Sequence, residues 1–339
     1  MENFGTFFHK ISDDPLVYAI VSGWQIVSGF SCCVHHAQGR PFHVVVFPYW
    51  HVPAQAADLH NFVTMATKLY PQSSITILCP TENDKKLLTN LGLGALHIHQ
   101  NAFIDDRLFN PEPQLEKKFS AIYVANFESW KRHELVWGVP RIAVVTYNHS
   151  GSSSAPVLNG YRDLAFCNLT ADLHGTWVGP PRLRKLICRA NCGLILSAVE
   201  GANFASAEYM YCGIPVVSTP SQGGREEFFD PNFVTIVDPK PIAVEQAVEH
   251  WQHTPYDPQE IRLSIMQKAH KHRYRLIEWL CRISNRDLFL EANRDYWLPS
   301  FCDKLRKWVT LPKHLLVLPD EWGKPNVKDR HKDIQAAVS

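Results

Sequence analysis

The sequence lacks the features that define several protein classes. No apolar run approaches the roughly 20 residues that span a bilayer. The first residues show neither the basic start nor the apolar core of a signal peptide. The 34 Lys and Arg nearly balance the 33 Asp and Glu, so a net charge of +1 gives no general attraction to nucleic acid. We therefore expect a soluble cytoplasmic protein that does not bind nucleic acid.

Paired metal-ligand motifs are also missing. The nine cysteines are odd in number and irregularly spaced. None of them forms the Cys-x-x-Cys pair or the His/Cys cluster that is typical of a zinc site. The sequence therefore predicts no metal site, and we expect reduced, mostly buried thiols.

What the sequence does contain is a repeated strand–helix pattern. Its 339 residues predict two domains, at roughly 100–200 residues per domain. Alternating strands and helices are typical of an α/β protein with parallel sheets. Strands are predicted at Leu16–Val21, Cys32–His36, Phe42–Phe47, Ser74–Cys79, Phe119–Ala125 and Arg141–Tyr147, and helices at Ala54–Tyr70, Glu82–Leu91, Gln259–Ile283 and Arg286–Val309.

A βαβ unit near residue 200 organises the rest of the chain. Cys192–Ala198 and Ile214–Thr219 are apolar runs of strand length, and a helix is predicted between them at Asn203–Cys212. Gly213 can take the left-handed conformation that ends a helix, and Pro215 cannot continue one. Two strands joined in this way lie parallel, with the helix crossing one face of the sheet.

Ligands of such a unit bind beyond the carboxyl ends of the strands, near the start of the helix. Glu200 lies at that strand end, and Glu208 follows inside the helix. Small residues between them would let a bulky ligand approach the backbone, and a carboxylate can accept hydrogen bonds from two neighbouring hydroxyls. This arrangement predicts a phosphate at the helix start and two carboxylates that bind hydroxyl groups, as a nucleotide sugar requires.

The order of these residues resembles the donor-site signature of retaining GT-B glycosyltransferases, especially family 4 (group 1). The signature is carried here by Glu200, seven residues, Glu208, then Gly213-x-Pro215-Val216-Val217 and Gly223-Gly224-x-Glu226. The resemblance implies the α/β GT-B fold, in which two Rossmann-like domains face each other across a cleft. The implied parts are a small acceptor-side domain (1–100), a donor domain (101–250), a helical extension packing back on both (251–322) and a disordered tail (323–339).

The same resemblance implies an activity. A hexosyl group would pass, with retention, from a nucleotide sugar (a UDP- or GDP-sugar) to a glycan or lipid-linked saccharide, as in polysaccharide biosynthesis. Neither a metal nor another cofactor is expected, because no Asp-x-Asp motif occurs. The run His270–Arg275 is either a solvated helix face, the simpler interpretation, or a basic surface for an acidic acceptor or the inner face of a membrane.

The family clamps the donor diphosphate with an Arg and a Lys. Lys131 occupies the Lys position, whereas Asn126 occupies the Arg position. Arg132 is a candidate substitute, although Asn cannot replace the rigid bidentate fork of an arginine. One phosphate contact is therefore altered in this chain relative to the family.

Further roles are implied for the remaining site residues. Glu200 would contact the donor sugar near the reacting carbon, and Glu208 would hold the ribose. His51, in a proline-flanked loop after a strand, corresponds to the catalytic His of the family, although a packing role for this residue stays open. The implied catalytic set is thus Glu200, His51 and Lys131, and the donor would also meet Gly201, Ala202, Asn203, Phe204 and Ala205.

Two alternatives remain at this point. The altered Arg position and the thin first domain favour a catalytically weak nucleotide-sugar-binding or scaffold protein. A GT-B phosphorylase or epimerase is the third candidate. The glycine-rich loop that follows the first strand in the family is missing, with Gly23 and Gly29 as weak counterparts, so the acceptor is not identified.

Overall fold

The computed structural model describes residues 3–147, 154–169, 175–286 and 303–318. These residues form two compact units. The first runs to Asp105 and resumes at Ala269, and the second is Asp106–Lys268. Part of the segment predicted to be a helical extension therefore lies in each unit, and the predicted tail lies outside the described residues. No described helix is both long enough and apolar enough to cross a bilayer.

The first unit is built on a six-stranded sheet in the order β12-β1-β2-β3-β4-β5. Strands β2 to β5 are parallel, while β1 pairs antiparallel with both β2 and β12. The strands are β1 (Asn3–Asp13), β2 (Leu16–Val21), β3 (Phe42–Phe47), β4 (Ser73–Cys79), β5 (Ala95–His97) and β12 (Lys307–Pro312), and the helices are α1 (Ile26–Ala37), α2 (Ala56–Leu69) and α3 (Glu82–Asn90).

Two sequence predictions are wrong in this unit. The strand predicted around Cys32–His36 lies within α1. Nine of the 12 residues of this helix are buried, and a short apolar run such as Cys32-Cys33-Val34 does not by itself distinguish a buried strand from a buried helix. The predicted helix Arg286–Val309 is wrong at its C-terminal end. Its last residues belong to β12, which pairs with β1. A strand that pairs with a partner some 300 positions away leaves a weak local signal.

The second unit contains a parallel six-stranded sheet in the order β11-β10-β9-β6-β7-β8. Its strands are β6 (Phe119–Val124), β7 (Ile142–Val145), β8 (Leu164–Cys167), β9 (Ala190–Ile195), β10 (Val216–Ser218) and β11 (Val234–Ile236). Its helices are α4 (Ser154–Asn159), α5 (Pro180–Cys188), α6 (Phe204–Tyr211), α7 (Pro241–His253) and the start of α8 (Pro258–Ser284). The predicted βαβ unit is confirmed as β9-α6-β10.

Close packing fixes α6 against this sheet. A Cβ at Gly193 would lie 2.0 Å from the ring of Tyr209, so the helix can approach β9 only because that residue is glycine. The hydroxyl of Tyr209 accepts a hydrogen bond from the Val124 N–H, 2.8 Å away, and so links α6 to β6. Gly213 ends the helix with a φ of +71°, as the sequence predicted.

Candidate functional site

Three loops meet at the carboxyl ends of β6, β9 and β10. The Ala198 N–H donates to the Trp130 carbonyl at 3.2 Å, which joins the loop after β9 to the loop after β6. The Gln222 N–H donates to the Ala198 carbonyl, and the Glu200 N–H donates to the Gln222 carbonyl, at 3.0 and 2.9 Å. These backbone bonds extend the sheet pairing beyond the strands and hold Glu200 in place.

Gly223 packs directly on the backbone of Glu200. A Cβ at this position would lie 1.6 Å from the Glu200 carbonyl oxygen, and the φ of Gly223 is +123°. Both observations require glycine here. Gly223 of the sequence signature therefore has a structural role, because it lets the loop after β10 pack against the loop that carries Glu200.

Lys131 and Glu200 form a buried ion pair. The Lys131 Nζ lies 2.6 Å from Glu200 Oε2, and their side chains are 7% and 12% exposed. Burial alone lowers the pKa of Lys131, but the Glu200 carboxylate outweighs burial and raises it. Burial alone raises the pKa of Glu200, but Lys131 and a hydrogen bond from Ser197 hold it below its usual value. Both groups are therefore ionised at neutral pH.

Arg225 is a second cation that interacts electrostatically with Glu200, and the sequence analysis did not single it out. It is fully buried, and its guanidinium donates to the Ser197 carbonyl (2.9 Å), to Ser218 Oγ (3.2 Å) and to the Thr219 carbonyl. Burial lowers the pKa of Arg225 to about 10, which still leaves it charged at neutral pH. The only sequence signal was its position between the glycine pair and Glu226.

The side chain of Arg132 donates hydrogen bonds to residues at the ends of β9 and β10. It sits in a left-handed turn with a φ of +51°. Its Nε donates to the Leu196 carbonyl at 2.5 Å, and a terminal nitrogen donates to Thr219 Oγ1 at 2.7 Å. The guanidinium therefore joins the ends of β9 and β10, and its role as a substitute phosphate ligand stays a prediction.

Asn126 lies at the end of β6, where the resemblance expects an arginine. Its carbonyl accepts a hydrogen bond from His133 Nε2 at 2.8 Å. Its side-chain Oδ1 is buried and has no hydrogen-bond partner among the described residues. Burial lowers the pKa of His133 to about 4, so this ring is neutral, and its Nδ1 lies 2.5 Å from the Tyr161 hydroxyl. The unmatched amide oxygen is a polar atom that a ligand could bond.

The side chain of Asn203 caps the N-terminus of α6. Asn203 has a φ of +49°, and its Oδ1 accepts the Ser206 N–H at 3.0 Å. The Ser206 hydroxyl donates back to the Asn203 carbonyl at 2.8 Å. Glu208 is buried within the same helix, 3% exposed. The predicted donor segment Gly201, Ala202, Asn203, Phe204 and Ala205 thus forms the turn and first residues of α6.

His51 belongs to the first unit, in the loop after β3. Its carbonyl accepts a hydrogen bond from Gln55 Nε2 at 3.3 Å. Gln55 Oε1 in turn accepts the Ser22 hydroxyl at 2.6 Å, and Ser22 Oγ accepts the Tyr49 N–H at 3.0 Å. The loop is therefore ordered by neutral polar groups, and the catalytic role of His51 stays a prediction.

Comparison with known proteins adds to this geometry. Residues 128–280 match a family model described as glycosyl transferase-like, a segment that contains Lys131, Glu200 and Glu208. No curated protein matches the chain.

Solved structures resemble a larger part of the chain. HepE of Anabaena, solved with UDP and glucose, has 13% identity and a TM-score of 0.55 over 78% of each chain. HepE with UDP has 11% identity and a TM-score of 0.52 over 78% of each chain. Sucrose-phosphate synthase of Thermosynechococcus elongatus has 14% identity and a TM-score of 0.48, covering 81% of this chain and 74% of its own. The two parallel-sheet units and the likeness to HepE confirm the predicted GT-B fold.

Proposed function

We propose that this protein is a glycosyltransferase that moves a hexosyl group, with retention, from a UDP- or GDP-sugar to a glycan or lipid-linked saccharide. The observation that carries the proposal is the buried Lys131–Glu200 pair, 2.6 Å apart, beyond β6 and β9 and ahead of α6. The pair lies inside the segment that matches a glycosyl transferase-like model. The HepE structure that the chain resembles was solved with UDP and glucose, which supports a nucleotide-sugar donor.

The charges of the site suit the departure of a nucleoside diphosphate. As the bond between the anomeric carbon and the diphosphate oxygen breaks, negative charge develops on the diphosphate. Lys131 keeps its proton because Glu200 raises the pKa of its ammonium group. The buried Arg225 guanidinium adds positive potential near Glu200. These fixed cations would stabilise the leaving group, so we propose a reaction that needs no metal ion.

The carboxylates suit the hydroxyl groups of the donor. Glu200 remains ionised, with Lys131, Ser197 and Arg225 favouring its charged form, and a carboxylate has acceptor sites for more than one donor. We assign it to hydroxyls of the transferred sugar and Glu208 to the ribose.

A thermal-shift screen over UDP-, GDP-, ADP- and TDP-sugars tests donor binding. A donor that binds the folded state at 100 times its Kd stabilises it by about 2.7 kcal/mol, so one nucleotide should raise the melting temperature by several degrees. Lys131→Gln should remove most of this shift. Lys185→Gln, a change at an exposed lysine of α5, is the matched control and should keep it. A wild-type protein that responds to none of these donors would contradict the proposal.

Transfer is tested with the donor that the screen selects. Release of nucleoside diphosphate and a product with the donor's anomeric configuration by NMR are expected, and both should persist in EDTA. An inverted product would overturn retention, and loss of activity in EDTA would overturn metal independence. Phosphate-dependent cleavage without nucleotide would instead indicate a phosphorylase.

The second candidate is a catalytically weak nucleotide-sugar-binding or scaffold protein. It is favoured by one observation: Asn126 replaces the expected arginine, and the neighbouring Arg132 guanidinium is bonded to Leu196 and Thr219. This alternative predicts donor binding in the thermal-shift screen without measurable donor hydrolysis or transfer. Recovery of activity in Asn126→Arg would support it further.

A further inference from the structure

Two tryptophans of the first unit contact each other while half of each side chain is exposed. Trp24 is 49% exposed and Trp308 is 50% exposed. Their rings meet edge to face, with the centroids 6.4 Å apart. Tryptophan is highly buried on average in folded proteins. Neither ring has a role in the donor site described above, which belongs to the second unit, so the exposed pair points to a separate task.

Trp308 lies along the ribbon that β1 and β12 form. In the antiparallel register it is directly opposite Phe7, and the two rings meet edge to face at 5.0 Å. Its six-membered ring reaches the diagonal neighbour Gly5, where a Cβ would lie 2.0 Å from Trp308 Cζ2. The indole is therefore held against the ribbon and does not project from it.

Trp24 is held beside the ribbon by the residue that follows it. It lies in the turn Gly23–Gln25 after β2. The Gln25 carbonyl accepts the Thr6 hydroxyl at 3.1 Å, and Gln25 Oε1 accepts the Phe7 N–H at 3.2 Å. These bonds tie the turn to β1. The fold itself thus fixes both indoles, so a ligand that stacks on them does not bear the entropy cost of ordering them.

The surroundings of the tryptophan pair are basic. Over their paired residues, neither β1 nor β12 has an acidic side chain. The Arg306 guanidinium lies 4.7 Å from the centroid of the Phe7 ring. Lys307, next to Trp308 in the chain, is exposed. In a chain whose net charge is only +1, this concentration of cations attracts an anion to the exposed rings.

Fixed aromatic rings among cations suit an acidic saccharide. One face of a pyranose ring presents C–H groups, whose partial positive charge is attracted to the negative face of an aromatic ring. Carboxylate and sulfate groups on such sugars pair with arginine and lysine. A membrane fits less well, because interfacial aromatic side chains enter the headgroup region and the Trp308 indole lies along the ribbon.

We propose that Trp24, Trp308, Arg306 and Lys307 form a binding surface for an acidic oligosaccharide, which we call the tryptophan surface. The two indoles stack on the sugar rings, and the two cations pair with the acidic groups. The proposal does not rest on the proposed function, because this surface needs neither a nucleotide sugar nor the buried ion pair of the second unit.

The test measures binding of hexasaccharides to the full-length protein without nucleotide. A mannuronate hexamer and a heparin hexamer are the acidic probes, and maltohexaose is the neutral one. At least one acidic hexamer should change the tryptophan fluorescence and bind in isothermal titration, roughly tenfold more tightly than maltohexaose because of its charges. Higher salt should weaken the binding of the acidic hexamer severalfold.

Substitutions separate the rings from the charges. Trp24→Ala should weaken the binding of the acidic hexamer roughly fivefold, and Trp24→Phe should restore most of it because a ring is kept. Lys307→Gln should weaken binding roughly threefold and reduce its salt dependence. Trp177→Ala removes an 82% exposed tryptophan of the second unit and is the matched control, which should bind as wild type. Melting temperatures show whether each variant is folded.

Several results would overturn the proposal. One is that neither acidic hexamer binds, and another is that maltohexaose binds as tightly as the acidic hexamers. Unchanged affinity in a folded Trp24→Ala would exclude stacking on this ring. Binding to phosphatidylglycerol vesicles without binding to either acidic hexamer would assign the surface to a membrane. Because no nucleotide is present, failure of the proposed function would leave all of these measurements unaffected.

Discussion

The carboxyl ends of the parallel strands are built differently in the two units. In the first unit, beyond β2 and β3, the loops are held by neutral groups: the Ser22 hydroxyl donates to Gln55 and accepts the Tyr49 N–H. In the second unit, beyond β6 and β9, the corresponding place holds the buried pair of Lys131 and Glu200. The edge beyond β2 and β3 is therefore held by neutral groups, whereas the edge beyond β6 and β9 is held by an ion pair.

This difference supports the proposal that a charged ligand binds in the second unit, beyond β6 and β9. A neutral hydroxyl–amide network is satisfied within the protein and stabilises a loop at little desolvation cost. Burying a lysine and a glutamate costs several kcal/mol for each ion, and an apolar pair of similar volume often stabilises a fold as well or better. The charged edge therefore points to function, and perturbed ionisable groups cluster at such sites.

Removing one partner of the charged pair should have the largest effect. Lys131→Met leaves Glu200 buried without its cation, and we expect a loss of about 3–5 kcal/mol in the free energy of unfolding, measured with urea. The double variant Lys131→Met with Glu200→Met should recover most of this loss, yet bind no donor. A double variant no more stable than the single one would show that the pair stabilises the fold rather than serving a ligand.

The second-largest effect concerns acid stability. The pKa of His133 is about 4 when folded, against about 6.5 when unfolded. The unfolded chain therefore binds the extra proton, so this contribution is complete above pH 6.5 and lost as the pH falls towards 4. Its size is about 3 kcal/mol by linkage. His133→Gln should flatten the urea-midpoint profile of the second unit in that window.

Glu200 supplies the internal control for this profile. Its folded pKa lies below its usual value, so its contribution is present above that value and is lost only as the pH falls through the lower, folded pKa. Unchanged dependence between pH 6.5 and 4 in His133→Gln would mean that another group titrates there.

The neutral edge should give a smaller effect. Ser22→Ala leaves Gln55 Oε1 and the Tyr49 N–H without the hydroxyl that joins them, and we expect a loss of about 1–2 kcal/mol. Nucleotide binding should not change in this variant if the two edges differ as described. A large drop in nucleotide affinity would remove the distinction between them.

The smallest effect is expected at Asn126. Asn126→Arg adds a cation beside the proposed diphosphate site, and nucleoside-diphosphate binding should tighten by roughly three- to tenfold at low salt, a gain that shrinks as salt screens the charge. Isothermal titration at two salt concentrations measures this. Equal affinity at both concentrations would mean that position 126 does not face the donor.

Sequence reasoning predicted the elements whose signal is local. β9, α6 and β10 follow from two apolar runs, a helical segment and a Gly-x-Pro stop within about 30 residues. β1 and α1 were not predicted. β1 pairs with β12, which lies about 300 residues further along the chain, and α1 is mostly buried, so its short apolar runs do not distinguish a helix from a strand.

The candidate site likewise has one part that the sequence predicted and another part that only the structure showed. The resemblance to a known donor-site signature brought Lys131, Glu200 and Glu208 into one hypothesis, because a signature that is followed along the chain needs no coordinates. Only the tertiary structure paired Lys131 with Glu200, placed Arg225 behind them and turned Arg132 towards the strand ends. The direction of a side chain depends on the backbone of its loop and on partners from distant strands, and a linear sequence specifies neither by itself.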